Sequence, residues 1–368
     1  MVAILATKEL AADTVRVDPR ASNPKFALIQ AGRGLASLWV VLFHIDKGAL
    51  LTGLTAALPH WLAYAVFGYG SAGVAVFFVI SGFVIAHSLS NATMNGTRFF
   101  QFIIKRSIRL DPAYWVSIVV TIVVGVVLAK VHNEPVSLPS LATIGWHIFY
   151  LQELLGVPEI DIVYWTLTYE IQFYLVFAAA TWAMVVLTHR SKPMANIIVM
   201  GPLCALAFVA AVAPEGFFLK GLFANYWHGF FVGVLAYEAG YKRRNPVLLL
   251  ALAATMLIAS PWKSQVFNGP CAWTGIILYL SARGKFLVSG LQQQVFQWLG
   301  RISYSLYLIH SSVIIAFGGL WGRLAGRGLL ADTGALVFLV GLSAAAAACL
   351  WWLVERPTHW LASRAFRQ

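Results

Sequence analysis

The chain is divided into a series of apolar runs of about 16 to 22 residues, and this pattern limits the folds open to it. A helix of that length crosses the ~30 Å hydrocarbon core of a bilayer. Only 11% of the residues are charged and 60% are hydrophobic, so a water-soluble fold could not cover its surface with polar groups. The sequence therefore predicts an all-α, polytopic transmembrane helix bundle.

About ten spans are expected, with a polar cytoplasmic tail over residues 1–27, a membrane-embedded domain over 28–358 and a short cytoplasmic tail over 359–368. Residues 141–155 are apolar but short, and they predict an interfacial or re-entrant helix. The predicted spans lie near residues 33–55, 72–90, 113–131, 166–187, 196–213, 223–240, 247–261, 266–282, 301–320 and 335–354.

The positions of the basic residues predict that both termini lie in the cytoplasm. With that orientation, the inner side carries all but six of the 26 Lys and Arg residues, as the positive-inside rule requires. The net charge of +12 is then explained by topology, and no nucleic-acid partner is expected. The basic residues left on the outer side are Lys47, Lys130, Lys220, Lys263, Arg323 and Arg327.

Arg33 and His44 lie on one face of the first predicted span, because eleven residues of helix make almost three whole turns. Arg33 is expected at the cytoplasmic edge and His44 near the middle of the membrane, ~16 Å further along the helix. An imidazole there can deprotonate a hydroxyl or attack a thioester as a nucleophile. The alternative is a histidine that only donates to a backbone carbonyl.

A carboxylate beside His44 would orient its ring, and Glu170 is the candidate, about one turn below the outer end of its span. The alternative role of Glu170 is a structural hydrogen bond to a neighbouring helix.

Lys105, Arg106 and Arg109 gather at the cytoplasmic boundary of the third span. Arg106 and Arg109 are three residues apart, so in a helix they share a face and could bind phosphate together. Anchoring by the positive-inside rule and contact with lipid headgroups are the competing explanations.

Three other segments have simpler interpretations. In AVFFVISGFVI (75–85), Ser81 and Gly82 are predicted to permit close helix packing. Glu355 and Arg356 in WWLVERP (351–357) are predicted to form a local ion pair. The ninth span carries Tyr304, Tyr307 and His310 in GRISYSLYLIH (300–310), where interfacial anchoring would explain the tyrosines.

Six segments, taken together and in order, resemble the acyltransferase-3 family of membrane O-acyltransferases over residues 28–358. They are Arg33 with His44, FFVISGFVI at 77–85, the pair Arg106 and Arg109, W-x-L-x-x-E-x-Q-F-Y at 165–174, GRISYSLYLIH at 300–310 and VERP at 354–357. One such motif would be weak, whereas six in the expected order are specific.

The resemblance implies a multi-pass enzyme of the bacterial inner membrane that moves an acyl group from cytoplasmic acyl-CoA to an outer-face hydroxyl, usually on a glycan. Acetyl-CoA is the expected donor, and no metal is expected. Where relatives often have a second acidic residue after the Glu, this chain has LTYEIQ, which leaves Glu170 alone. The implied roles are catalytic for His44, Arg33 and Glu170, CoA-binding for Arg106, Arg109 and Lys105, and acceptor-binding for Tyr304, Tyr174, Trp165 and His310.

Two questions stay open at this level. Arg33 is too far from His44 along a straight helix to touch the same small group, so either the helix breaks between them or they contact different parts of an extended donor. The acceptor is expected to be an extracytoplasmic polysaccharide or oligosaccharide, with peptidoglycan, a lipid-linked sugar or a secreted small molecule as alternatives. A proton-coupled transporter is less favoured, because the sequence does not show the two similar halves that many transporters have. A non-catalytic bundle is also less favoured.

Overall fold

The structure, a computed structural model, describes residues 26–90, 94–188, 192–263 and 266–365. Every regular element in these ranges is a helix, which confirms the predicted all-α class. The predicted polar tail over residues 1–27 lies almost wholly outside the described residues.

The helices differ widely in length, and several continue through a π-helical turn at Tyr64–Gly68, Asn196–Met200, Tyr237–Tyr241 or Trp351–Glu355. In chain order they are α1 (Ala27–Lys47), α2 (Thr52–Ala57), α3 (His60–Ala63), α4 (Ala72–Leu89), α5 (Gly96–Val131), α6 (Leu141–Ile148), α7 (Trp165–Thr188), α8 (Lys192–Ala195), α9 (Gly201–Val212), α10 (Trp227–Ala236), α11 (Val247–Ala259), α12 (Asn268–Arg283), α13 (Phe286–Ser289), α14 (Gln294–Ala325), α15 (Leu329–Leu350) and α16 (Arg356–Ala365).

Among the described residues, six helical stretches are long and apolar enough to cross a bilayer. The apolar helices Ile197–Val212 and Val247–Ala259 are shorter, and the predicted spans at 223–240 and 266–282 coincide with α10 and α12. The total of about ten spans and their orientation stay predictions. The six long stretches are Ala27–Lys47, Ala72–Leu89, Gly96–Val131, Trp165–Thr188, Gln294–Ala325 and Leu329–Arg364.

The segment 141–155 forms only the short helix α6, which begins where the Ser140 side chain accepts a hydrogen bond from the Thr143 backbone N–H. Its eight residues rise ~12 Å, too little to cross a bilayer. The structure thus shows a short helix here, and its interfacial or re-entrant position stays a prediction.

Helix α1 is clamped between α4 and α14 by glycines. A Cβ on Gly34 would lie 2.6 Å from the backbone nitrogen of Gly300, and a Cβ on Gly300 would overlap the backbone of Gln30. On α4, a Cβ on Gly73 would lie 2.5 Å from the Ala36 carbonyl oxygen of α1. These close approaches fix the height of α1 against its neighbours.

The predicted close packing at Ser81–Gly82 is confirmed at Gly82, where a Cβ would overlap the Phe230 carbonyl of α10.

The C-terminal segment does not hang free of the bundle. It continues from α15 through the π-helical turn Trp351–Glu355 into α16, which packs against α5. The predicted cytoplasmic tail over 359–368 is thus helical through Ala365, and its first residue, His359, contacts Arg109.

Candidate active site

Helix α1 runs without a break from Ala27 to Lys47, so the predicted alternative of a helix break between Arg33 and His44 is wrong. The two residues line different cavities in the bundle. Of the two arrangements left open by the sequence, only separate contacts at either end of an extended ligand remain.

The first cavity, here called the arginine cavity, is narrow, with a volume of about 60 Å³. Five long helices meet there, and each contributes residues from one of the sequence motifs. Its polar lining comprises Arg33 of α1, Ser81 of α4, Arg106 and Arg109 of α5, Glu170 and Tyr174 of α7, and Tyr304 of α14.

The three guanidinium groups of the arginine cavity form no ion pair with a carboxylate among the residues that the structure describes. Arg106 stacks on the ring of Tyr174, with its central carbon 4.7 Å from the ring centroid. Arg109 donates from Nε to Nε2 of His359 at 2.8 Å. Three guanidinium groups and one carboxylate, Glu170, leave this cavity with a net positive charge, which favours an anionic ligand, and guanidinium suits phosphate.

Glu170 does not line the cavity around His44, so its expected place as the neighbour that orients that ring is wrong. It lies in the arginine cavity, where its Oε1 accepts hydrogen bonds from the Ser81 hydroxyl at 2.6 Å and from the Tyr174 hydroxyl. This geometry matches the structural alternative, a carboxylate that joins α4 to α7.

Lys105 is exposed and does not line the arginine cavity, although it precedes Arg106 directly. Adjacent residues of a helix point about 100° apart, so one face cannot present all three basic side chains to one ligand. The structure brings Arg106 and Arg109 together as predicted and leaves Lys105 outside.

The predicted ion pair between Glu355 and Arg356 is wrong. The buried Glu355 carboxylate accepts a hydrogen bond from Ser305 at 2.8 Å, and its other oxygen lies 3.6 Å from Nε2 of His359. Arg356 instead lies over the ring of Trp351. Consecutive helical positions diverge around the axis, so Glu355 faces the bundle and Arg356 does not.

The second cavity, here called the histidine cavity, has a volume of about 300 Å³ and is lined by His44, Trp165 and Tyr226 among others. It shares Val74 and Tyr307 with the arginine cavity. The two cavities are therefore neighbours on either side of Val74 and Tyr307, with the arginines in one and His44 in the other.

His310 is completely buried next to His44, with ring centroids 5.1 Å apart. Its Nδ1 lies 3.0 Å from the carbonyl oxygen of Leu306, and a carbonyl can only accept, so Nδ1 carries the proton. Nε2 is then a bare acceptor, and it has no hydrogen-bond partner within the described parts of the chain. An N–H group of the facing His44 ring is a suitable donor to this acceptor.

The two tyrosines of the ninth predicted span have their hydroxyls engaged by backbone. Tyr304 donates to the carbonyl of Leu110 at 3.1 Å, and Tyr307 donates to the carbonyl of Val163 at 3.0 Å. Tyr304 and Tyr174 thus line the arginine cavity rather than the cavity that holds His44. Tyr307, which borders both cavities, was not assigned a site role from the sequence.

A third cavity, here called the mixed-charge cavity, has a volume of about 600 Å³ and borders the histidine cavity through Trp165, Tyr226 and Phe267. Its ionisable lining includes Glu153 and Lys220, whose charged atoms lie 3.5 Å apart. Glu215 and Lys263 also line it. Burial lowers the pKa of Lys263, and the charge of Glu215 opposes that shift.

One wall of the mixed-charge cavity is held by Gln172, a residue that the sequence did not single out. Its side chain donates to the Gly221 carbonyl at 2.7 Å and accepts from the Phe223 N–H at 2.9 Å, which fastens the loop after α9 to α7. The signal was present in the motif W-x-L-x-x-E-x-Q-F-Y, where a glutamine in an apolar span needs partners for its amide.

Neighbouring cavities inside a helical bundle, with arginines lining one and the half-buried His44 lining the next, suit an enzyme that brings two substrates together. The sequence comparison gives the class of protein. The chain belongs to the acyltransferase-3 family, whose model, described as an acyltransferase domain, matches residues 26–355. The family resemblance inferred from the motifs is therefore confirmed.

Two relatives have names that state a function. The chain is 23% identical over 301 residues to the peptidoglycan O-acetyltransferase OatA of Listeria monocytogenes, covering 73% of this chain and 48% of that protein. It is 27% identical over 324 residues to the exopolysaccharide production protein ExoZ of Rhizobium meliloti, covering 79% of this chain and 90% of that protein. The chain thus spans about half the length of the Listeria relative. No solved structure matches.

Proposed function

We propose that this protein is a membrane O-acyltransferase that moves an acyl group, acetyl in the simplest case, from cytoplasmic acyl-CoA to a hydroxyl of an extracytoplasmic polysaccharide or oligosaccharide. The observation that carries the proposal is the order of the cavities: arginine cavity, histidine cavity and mixed-charge cavity adjoin in that sequence. A donor and an acceptor entering from opposite ends would meet at His44.

The arginines of the arginine cavity suit the phosphates of the donor. CoA carries several phosphates, and three guanidinium groups with one carboxylate among them attract these phosphates at the basic inner rim of the protein. Arg33 and His44 are ~16 Å apart along an unbroken helix. The long pantetheine arm of CoA separates its phosphates from its thioester, so Arg33 can position the donor while the thioester lies near His44.

His44 is proposed to act as general base. It takes the proton of the acceptor hydroxyl as the oxygen attacks the thioester carbonyl carbon; the new C–O bond forms, the C–S bond breaks, and the CoA thiolate receives that proton from the imidazolium. The acyl group and one proton thus exchange places between the two substrates. In the alternative route, His44 attacks the thioester itself and carries the acyl group briefly.

The names of the two relatives support a polysaccharide-type acceptor, since one is a peptidoglycan O-acetyltransferase and the other an exopolysaccharide production protein. We place a surface or exported polysaccharide first and peptidoglycan second. A lipid-linked sugar and a secreted small molecule remain the other acceptors that the same chemistry would serve.

The test uses the purified full-length protein in detergent with acetyl-CoA labelled in the acetyl group. The acceptor is surface polysaccharide from the encoding organism, stripped of its own O-acyl groups by mild alkali. We expect release of CoA thiol with stoichiometric, alkali-labile label on the polysaccharide. Label on the protein that is chased onto the polysaccharide would support the acyl-histidine route. If the protein neither releases CoA nor labels polysaccharide, the proposal is wrong, and a transporter becomes the better explanation.

A further inference from the structure

The mixed-charge cavity has no function in the donor half of the reaction, yet it is the largest of the three adjoining cavities, at about 600 Å³. Its charged lining residues Glu153, Glu215 and Lys263 lie in segments between helices. These segments fall on the predicted outer side, and the arginine cavity lies at the other end of the three. Ligand pockets are about 300–1,000 Å³, so this cavity has the size of a ligand site.

The charges in this cavity differ from those in the arginine cavity. Two carboxylates, Glu153 and Glu215, stand with two ammonium groups, Lys220 and Lys263, so the lining is formally neutral. Such a site does not attract the phosphates of CoA, but it offers both donors and strong acceptors at short range. A ligand rich in hydroxyl groups and without net charge matches it, because each hydroxyl both donates and accepts.

His228 supplies a second and independent sign of a ligand. The Asn268 amide donates to the Ala211 carbonyl at 3.0 Å, which fixes its orientation and leaves Oδ1 as the acceptor facing Nε2 of His228, also at 3.0 Å. The proton of His228 is therefore on Nε2, and Nδ1 is a bare acceptor. Nδ1 has no partner within the described residues, although His228 is buried and lines the cavity. A buried acceptor of this kind calls for a donor from outside the chain.

Aromatic rings connect this cavity to the catalytic centre. Trp165 and Tyr226, with ring centroids 5.4 Å apart, line both the mixed-charge cavity and the histidine cavity, and both side chains are only half-buried. Flat aromatic faces pack well against the apolar faces of sugar rings while the hydroxyls reach the polar groups around them. A ring lying on these two residues would hold a hydroxyl towards His44.

We propose that the mixed-charge cavity is the acceptor subsite, which binds an uncharged segment of polysaccharide and presents one of its hydroxyls to His44 through the Trp165–Tyr226 opening. The His228 Nδ1 accepts from one sugar hydroxyl, and Glu153 accepts from another. This assignment rests on the proposed function, since it needs acyl transfer to a sugar.

The test measures steady-state kinetics of the full-length protein with acetyl-CoA and the same de-O-acylated surface polysaccharide. Glu153→Gln removes the negative charge of one acceptor and leaves a weaker amide oxygen, whereas His228→Phe removes an acceptor nitrogen, and both nearly keep side-chain size. Their matched controls are Glu134→Gln, an exposed carboxylate of the same predicted side, and His60→Phe, which lines a separate cavity. Each test variant should raise KM for polysaccharide about fivefold to tenfold, the effect of one weakened or lost hydrogen bond. KM for acetyl-CoA and the rate at saturation should stay unchanged.

The outcomes separate the two claims. If the wild-type protein acetylates the polysaccharide but both test variants keep its KM for that polysaccharide, the subsite is elsewhere and the proposed function stands. If Glu153→Gln changes KM for acetyl-CoA instead, the cavity belongs to the donor and the assignment is wrong. If the wild-type protein transfers no acetyl group, the proposed function itself has failed. A fold check by thermal unfolding in detergent accompanies His228→Phe, and Glu153→Gln decides the matter if that variant does not fold.

Discussion

The imidazole rings of His44 and His310 lie 5.1 Å apart between centroids, one facing a cavity and the other completely buried. The buried ring donates through Nδ1 to its own helix and keeps Nε2 as an acceptor. No hydrogen bond joins the two rings within the described residues, and we propose that His44 donates to this free acceptor when substrates are bound. The other nitrogen of His44 would then be unprotonated, which is the state a general base requires.

Replacing His44 with Ala should abolish acetyl transfer while the protein stays inserted and folded. General acid–base groups contribute about 10²–10⁴-fold to rates, so kcat should fall by at least that much. The measurement is CoA release at saturating donor and acceptor, with acetyl-CoA binding and the melting temperature as folding controls. An active His44→Ala protein would remove this residue from the mechanism.

His310 should matter through His44 rather than through substrate. His310→Phe should lower kcat about 10- to 100-fold, less than the loss of the base itself, with little change in KM for acetyl-CoA. His310→Gln keeps an acceptor oxygen and should restore part of the rate. If both substitutions raise KM for the polysaccharide and spare kcat, His310 binds the acceptor, as the family resemblance suggested, and does not position His44.

Arg106 and Arg109 should hold the phosphates of the donor. Changing both to Gln should raise KM for acetyl-CoA about tenfold or more, because charge-assisted hydrogen bonds to phosphate are lost. Binding by the wild-type protein should weaken as salt increases, and the double variant should respond less to salt. Lys105→Gln is the matched control, since Lys105 is exposed and outside the cavity. Equal effects of all three changes would point to surface charge and not to a phosphate site.

Glu170 distinguishes a structural carboxylate from a catalytic one. Glu170→Gln keeps an acceptor for Ser81 and Tyr174 but removes the charge, so we expect kcat to stay within about threefold of wild type. Glu170→Leu leaves both hydroxyls without their acceptor and should lower the melting temperature and the activity together. A Gln variant that folds normally and has lost its activity would restore the catalytic role.

Gly300 should be needed for helix contact rather than for chemistry. A Cβ at this position meets the backbone of Gln30, so Gly300→Ala should force α14 away from α1 and destabilise the protein by about 1–3 kcal/mol. Gly319→Ala, on the same helix with open space around it, is the control and should be nearly neutral. Thermal unfolding in detergent measures both. Equal stability of the two variants would contradict the packing.

The sequence by itself determined the helical class and the family, and it identified most of the candidate site residues that line the arginine and histidine cavities. Apolar runs long enough for a bilayer leave the backbone no partner except its own helix, so the class follows from composition and length. The i, i+3 spacing of Arg106 and Arg109 places them on one face wherever the helix lies, and the structure brings them into one cavity. The relative position of Arg33 and His44 also follows from the geometry of a single straight helix.

Only the tertiary structure decided which residues meet across helices. Glu170 joins Ser81 instead of His44, Glu355 turns to Ser305 and His359, and Lys105 stays outside the cavity that holds its neighbour. Each of these depends on the height and rotation of one helix against another, which glycine contacts such as Gly34 with Gly300 set. Period and spacing fix positions along and around a single helix, but they carry no information on its register with the next, so the order of the cavities could not be derived from the sequence.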